Sequence, residues 1–260
     1  MPNATTVLLP GRRRLLLAGL ALAGGTPQAA MAGAAPALHG LTENLAPLNY
    51  EEGGQARGFS SELLRLMAAD AGLPLAIEVL PWQRAVQRAA QQAGSVLFSL
   101  TRMPERETQY QWVGPISARR IMVYRLSRRD DVRPASLQQL GGLRVGVVRD
   151  SAAARQLQAE LARPADELEW AVDDATNLRK LLAGRMELLA MLDWAAAWHL
   201  RQLRLPYATL SPVLPMDVGR SYWFGLPADA DPALVRRLQG ALDRIRRDGR
   251  YERLRQRYFR

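Results

Sequence analysis

Val96-Leu97-Phe98-Ser99-Leu100-Thr101-Arg102-Met103-Pro104-Glu105-Arg106-Glu107 is the stretch on which the fold turns. Its apolar start, residues 96–100, reads as a strand, and a charged loop with Pro104 leaves the strand's end. Strand and helix patterns alternate on both sides of it. Upstream, 38–41 is a short strand and Gly53-Gly54 a turn. Ser60 is positioned to cap a helix through Ala71, with Leu63, Leu64 and Met67 on one face and Gly72 as its stop. A strand at 75–80 and a helix at 83–92 complete the first run. Downstream, 121–126 is a further strand. A second run of the same kind follows: strand 143–148, a turn at Arg149-Asp150-Ser151, helix 152–161, helix 177–183, strand 187–192 and strand 222–226. Residues 232–260 read as two short helices broken at Asp248-Gly249. The alternation argues an α/β fold with two units and no flexible linker between them.

The chain has 260 residues, 48% of them hydrophobic and spread along its length, enough for two small cores. Cysteine is absent, which removes disulfides, thiolate nucleophiles and Cys-based metal sites together. His39 and His199 are the two histidines, far apart in sequence, so neither a His-based metal site nor a Ser-His triad is expected. The net charge is +10, and Lys180 is the single lysine. Two readings are open: nucleic-acid binding, or arginine written for lysine on solvated faces. The arginines are scattered except near the C-terminus, and no zinc-finger or RNA-binding signature accompanies them, which favours the second.

Arg12-Arg13-Arg14, the apolar run 15–25 and the small residues around Ala30-Met31-Ala32 follow the order of a secretory signal peptide. The run is shorter than the ~20 residues a membrane span needs. Residues 1–34 are therefore expected to be an export signal. Its removal takes three arginines and no acid, leaving a charge of +7 (10 − 3). The expected location is the periplasm.

Several segments, in order, carry a resemblance to a known family: Thr42-Glu43-Asn44 with Ala46 to Tyr50, Gly58-Phe59, Pro81-Trp82-Gln83-Arg84-Ala85, Phe98 to Glu107, Trp112-Val113-Gly114-Pro115, and Asp248-Gly249-Arg250-Tyr251 through Tyr258-Phe259. From about Leu38 to Phe259 the chain resembles the bacterial extracellular solute-binding proteins of family 3, the polar-amino-acid receptors of ABC transporters. The resemblance implies the type II periplasmic-binding-protein fold: one lobe from residues 37–118 and 228–260, a second from 119–227, and hinge crossings near Ala118 and Pro227. It implies a ligand between the lobes at the carboxyl ends of strands. It also implies a monomer, an inner-membrane ABC permease as partner, no nucleic acid, and no cofactor or metal.

Holding a free amino acid takes a cation for its carboxylate and an acceptor for its ammonium group. Arg106 stands where the family places its carboxylate-binding arginine; the alternative is a surface ion pair with Glu105 or Glu107. Ser99 and Thr101 lie just upstream as polar contacts or ordinary strand-end residues. Ser151 opens a helix whose free N–H groups suit a carboxylate, and serves equally as a simple cap. Asp193 is placed near the family's ammonium-binding acid, or caps the helix ahead of Trp194. Where many members have an aromatic residue this chain has Leu45, so Tyr50 and Trp82 are candidates for that wall, with core filling as the alternative for Trp82. Glu43 is a candidate for a ligand amine or hydroxyl, or a solvated loop acid. An enzyme is the competing class, because a few relatives on this fold dehydrate cyclic carboxylic acids. Glu43, Asp193 or another pocket glutamate would then have to serve as the acid or base. A sensory binding protein with no transporter is the third.

Overall fold

The structure, a computed structural model, describes residues 38–140, 142–161 and 167–259. The signal-peptide reading of residues 1–34 falls outside them. The first run forms β1 (Leu38–Thr42), a hairpin of β2 (Tyr50–Glu52) and β3 (Gln55–Arg57), α1 (Phe59–Asp70), β4 (Leu75–Val79), α2 (Trp82–Gln91) and β5 (Ser95–Thr101). The second forms β7 (Val145–Val148), α3 (Ala152–Leu161), β8 (Leu168–Ala171), α4 (Asp174–Leu182), β9 (Leu188–Leu192) and α5 (Asp193–Gln202). Two long strands, β6 (Tyr110–Leu126) and β10 (Leu210–Pro227), run between the halves, and α6 (Pro232–Arg247) and α7 (Arg250–Phe259) close the chain. One eight-stranded sheet results, in the order β4-β1-β5-β10-β6-β9-β7-β8. Parallel strands make each flank, and the antiparallel β6–β10 ribbon joins them. This is the fold of two α/β lobes joined by two crossing segments.

Alternation along each strand gives each half two cores. In the first, Leu38, Val96 and Phe98 pack on Leu63, Leu64 and Met67 of α1 and on Leu238, Leu242 and Ile245 of α6. Leu41, Leu97 and Leu100 meet Ala85 and Ala89 of α2 on the opposite face. In the second half, Leu188 and Ala190 face Leu157 of α3, while Leu189 and Met191 face Leu178 and Leu181 of α4 and Leu200 of α5.

Two local features differ from the sequence reading. The cap of α1 is Gly58, at φ +104°, and not Ser60. A Cβ at Gly58 would lie 2.5 Å from the Leu48 carbonyl oxygen, so only glycine lets the hairpin loop pass there. The strands read at 121–126 and 222–226 are the ends of far longer ones. In β10, Pro212 and Pro215 coincide with register shifts against β6, where a strand tolerates proline. Ala118 pairs with Ser221, whereas Pro227 pairs with Tyr110. Ser221 is thus the residue of β10 that faces Ala118 across the ribbon.

Candidate ligand-binding site

The exit of β5 is shaped by Ser99. Phe98 pairs with Phe224 and Leu100 with Trp223, so Ser99 is an extra residue in the ladder. Its φ of +56° puts it in the left-handed region, which costs a non-glycine residue about 1–2 kcal/mol. The bulge is held by its own side chain: Ser99 Oγ donates to Asn49 Oδ1 and lies 3.0 Å from Ser60 Oγ. The consequence is that Leu100 turns onto the same core face as Leu97, and the end of the strand is re-aimed. Ser99 is buried, and its hydroxyl is committed to this network.

Beyond the bulge, the chain makes a single 3-10 turn at Pro104–Arg106. The half-buried Arg106 donates from Nη1 to the Thr101 carbonyl at 3.3 Å, and its guanidinium lies 6.0 Å from the centre of the Trp82 ring. Trp82 begins α2 and packs at the edge of the Leu41–Leu97 core. Arg106 has no ion pair among the described residues, because Glu107 is taken by Arg102 in a two-point contact. Arg102 itself lies over Trp112 and Trp223, at 5.4 and 4.7 Å.

Glu43 follows β1 directly, and its carbonyl accepts a hydrogen bond from Asn49 Nδ2 at 2.6 Å. Burial holds its carboxyl above the usual range, against the pull of the Arg155 guanidinium. Arg155 belongs to α3, so this acid of the first half is set against a cation of the second. Ser151 caps α3, its Oγ accepting from Ala154 N at 3.1 Å. Asp150, at φ +57°, offers its carbonyl to Arg155. Asp150 is exposed.

The β6–β10 ribbon carries further charge. Arg119, only 6% exposed, pairs with Asp217. Tyr222 is buried on the same ribbon; burial raises its phenol, Arg119 lowers it, and the fields of Glu43 and Asp174 reach it. Asp174, at the start of α4, is pushed up to about 6 by burial, with Asp173 adding to the effect. Arg119 thus contacts Tyr222, and one acid from each half acts on it through its field alone.

Asp193 and Tyr50 lie elsewhere. Asp193 is the first residue of α5, and its Oδ1 accepts the Trp194 N–H at 2.8 Å. Its carboxyl is pushed up to about 6 by burial, with Trp194 N–H and Arg120 acting against the rise. It lines a cavity of about 770 Å³ between α5 and α7, whose walls include neither Arg106 nor Ser151. The Tyr50 ring packs 5.8 Å from Trp198 of α5, and Trp198 stacks 5.9 Å from Tyr258 of α7. The structure therefore brings Arg106, Thr101 and Trp82 together and sets Glu43 against Arg155. It places Asp193 in the α5–α7 cavity and Tyr50 in an aromatic contact.

Arg155, Arg119, Asp217 and Tyr222 were not singled out from sequence. The Arg119-Arg120 doublet was the available signal, since two charges in a strand-like run must face opposite sides.

The description "Bacterial extracellular solute-binding proteins, family 3" matches residues 39–260, and the chain belongs to that family. Membrane-bound lytic murein transglycosylase F of Ectopseudomonas mendocina is 27% identical over 227 residues, which is 84% of this chain and 45% of that protein. The chain thus spans about half the length of the curated relatives it matches. Among solved structures, an ancestral cationic amino acid solute-binding protein aligns with a TM-score of 0.71 at 17% identity, covering 86% of this chain and 96% of that one. A histidine kinase sensor domain with similarity to periplasmic binding proteins gives 0.68 at 20% identity, covering 86% and 96%. At these identities the likeness establishes the fold. No helix among the described residues is long and apolar enough to cross a membrane.

Proposed function

We propose that this chain is a periplasmic receptor that captures a small, amino-acid-like carboxylate between its two halves and presents it to an ABC importer. Arg106 carries the reading. A half-buried guanidinium beside an aromatic ring, anchored by one carbonyl and paired with no carboxylate among the described residues, is a charge held ready for an anion. Thr101 and Trp82 shape that end of the site. Glu43, under the field of Arg155, is the acceptor for the ligand's ammonium group, and Ser151 offers the N-terminus of α3 from the other half. The lobes in this account are residues 37–118 with 228–260, and residues 119–227, joined by crossings near Ala118 and Pro227. Contacts drawn from both lobes are what let a ligand favour a closed form. Family membership and the amino-acid-binding protein of similar fold support the ligand class, and the apolar run after Arg12-Arg13-Arg14 supports export.

A thermal-shift screen of the chain against amino acids, amines and small organic acids tests the reading. A carboxylate-bearing amino compound should raise the melting temperature of the wild type, while Arg106→Ala keeps its ligand-free stability and loses the shift. An equal shift in that variant would remove Arg106 from the site. The matches to half of a murein transglycosylase and to a kinase sensor domain favour one second reading, a sensing module with the same pocket and no permease. Co-purification of a permease with the ligand-loaded chain separates the two.

A further inference from the structure

The cavity between α5 and α7 is unused by the function proposed above. Its charge is lopsided: Arg120 from β6, Arg201 and Arg204 from α5 and the turn after it, and Arg255 from α7 line it, against the single carboxylate of Asp193. These cations are differently committed. Arg255 is paired with Glu252 through two contacts of 2.9 and 3.1 Å. Arg201 donates to the Arg257 carbonyl at 3.1 Å and lies 4.9 Å from the Trp198 ring. Arg120 and Arg204 are exposed, and neither side chain has a hydrogen bond or ion pair among the described residues. Arg120 acts only through the field it exerts on Asp193.

A surface arginine normally points into water, and one such residue means little. Here four guanidiniums from three separate elements open on one concavity. A concavity lined by one sign of charge concentrates its field and raises the local concentration of the opposite ion. The volume of about 770 Å³ lies within the ~300–1,000 Å³ of small-molecule sites. The wall is not wholly polar. Trp194 and Phe259 line it with their rings in contact, and Tyr207 stands 48% exposed beside them. Planar guanidiniums match carboxylate and phosphoryl oxygens two at a time. A singly charged amino acid would answer only one of Arg120 and Arg204, and its ammonium group would face the other.

We propose that the α5–α7 cavity is a second ligand site, which takes a small molecule bearing two or more phosphoryl or carboxyl groups and is independent of the Arg106 site. Arg120 and Arg204 are its primary cations because no hydrogen bond or ion pair among the described residues holds them, and Arg201 and Arg255 supply the surrounding field.

Titration calorimetry on the full chain at constant ionic strength tests this, with tripolyphosphate in one arm, citrate in the other, and acetate as the single-charge comparison. At least one polyanion should bind at least about tenfold tighter than acetate, since each added charged group gains its own charge-assisted contacts. Binding of tripolyphosphate alone assigns the site to phosphoryl groups, and binding of both assigns it to carboxyl groups as well. R120Q/R204Q should weaken that binding by about tenfold or more. R236Q/R237Q removes the same charge from exposed positions on α6 and should leave the affinity within about twofold, as should Arg106→Ala, because neither touches the cavity. Failure of every polyanion to bind above acetate would overturn the proposal. So would equal binding by R120Q/R204Q, or an equal loss in R236Q/R237Q. A loss confined to Arg106→Ala would do the same and would move the anion to the other site.

Discussion

Arg119 and Arg120 are neighbours in the chain and opposites in the structure. The first is 6% exposed, paired with Asp217 and in contact with Tyr222. The second is exposed at the wall of the α5–α7 cavity with no ion pair among the described residues. Strand alternation alone separates them, because consecutive side chains on β6 leave by opposite faces. On the face that carries Arg119, that side chain is dry and its charge is neutralised by Asp217. The face that carries Arg120 is open, and its charge is available to something outside the protein. Position on the ribbon, and not residue type, decides whether an arginine here holds the fold or offers a contact.

Arg119→Ala should break the dry face most severely. It leaves Asp217, 14% exposed, with only the longer 3.4 Å contact to Arg220. Removing one partner of a buried ion pair costs about 3–5 kcal/mol, which chemical denaturation would register as a lower midpoint. A loss below about 1 kcal/mol would put the pair in the class of surface salt bridges.

Asp193→Asn sharpens the other face with a smaller, pH-dependent effect. The folded carboxyl is pushed up to about 6 from an ordinary 3.8, so the native state binds more protons than the unfolded chain between those values. Stability should therefore fall as pH rises from about 4 to about 6, and the penalty should persist above it. Asp193 is partly exposed, so the full shift is discounted for solvent screening to about 1 kcal/mol. The asparagine variant keeps an acceptor for the Trp194 N–H. It should be more stable than wild type at pH 7 and equal to it below pH 4, as read from thermal melts across that range. A variant less stable at pH 7 would mean that the carboxylate is favourably paired.

Arg120→Ala should produce the smallest change in stability, within about 0.5 kcal/mol, as for a surface residue without a fixed partner. A larger loss would show the side chain holding the ribbon, and the contrast with Arg119 would vanish.

The α/β order was legible because apolar periodicity switches cleanly between strand and helix, and the glycines at 72 and 94 and the break at 248–249 mark real ends. The ribbon was not. Pro212, Pro215 and Gly219 make most of β10 read as loop, and only pairing with β6 holds that segment extended. The short hairpin β2–β3 and strand β8 were too brief for periodicity to reveal. At the site, resemblance singled out Arg106 and Glu43 by position in a motif, but could not give their surroundings. Ser99 looked like an available hydroxyl, yet it is the bulged residue of β5, a role that local sequence rarely betrays when glycine is absent. For Asp193 and Tyr50 residue type and neighbourhood were legible, but not that one lines the α5–α7 cavity and the other packs on Trp198.

The central claim is that an anionic group of the ligand is gripped by Arg106 in the cleft between the halves. Calorimetry with the amino compound that most raises the melting temperature, run on Arg106→Ala and Arg120→Ala side by side, addresses it directly. The account predicts a loss of about a hundredfold or more for Arg106→Ala, as for a charged hydrogen-bond partner removed from a ligand, and unchanged affinity for Arg120→Ala. Unchanged affinity in the first variant with a loss in the second would move the ligand to the α5–α7 cavity and contradict it.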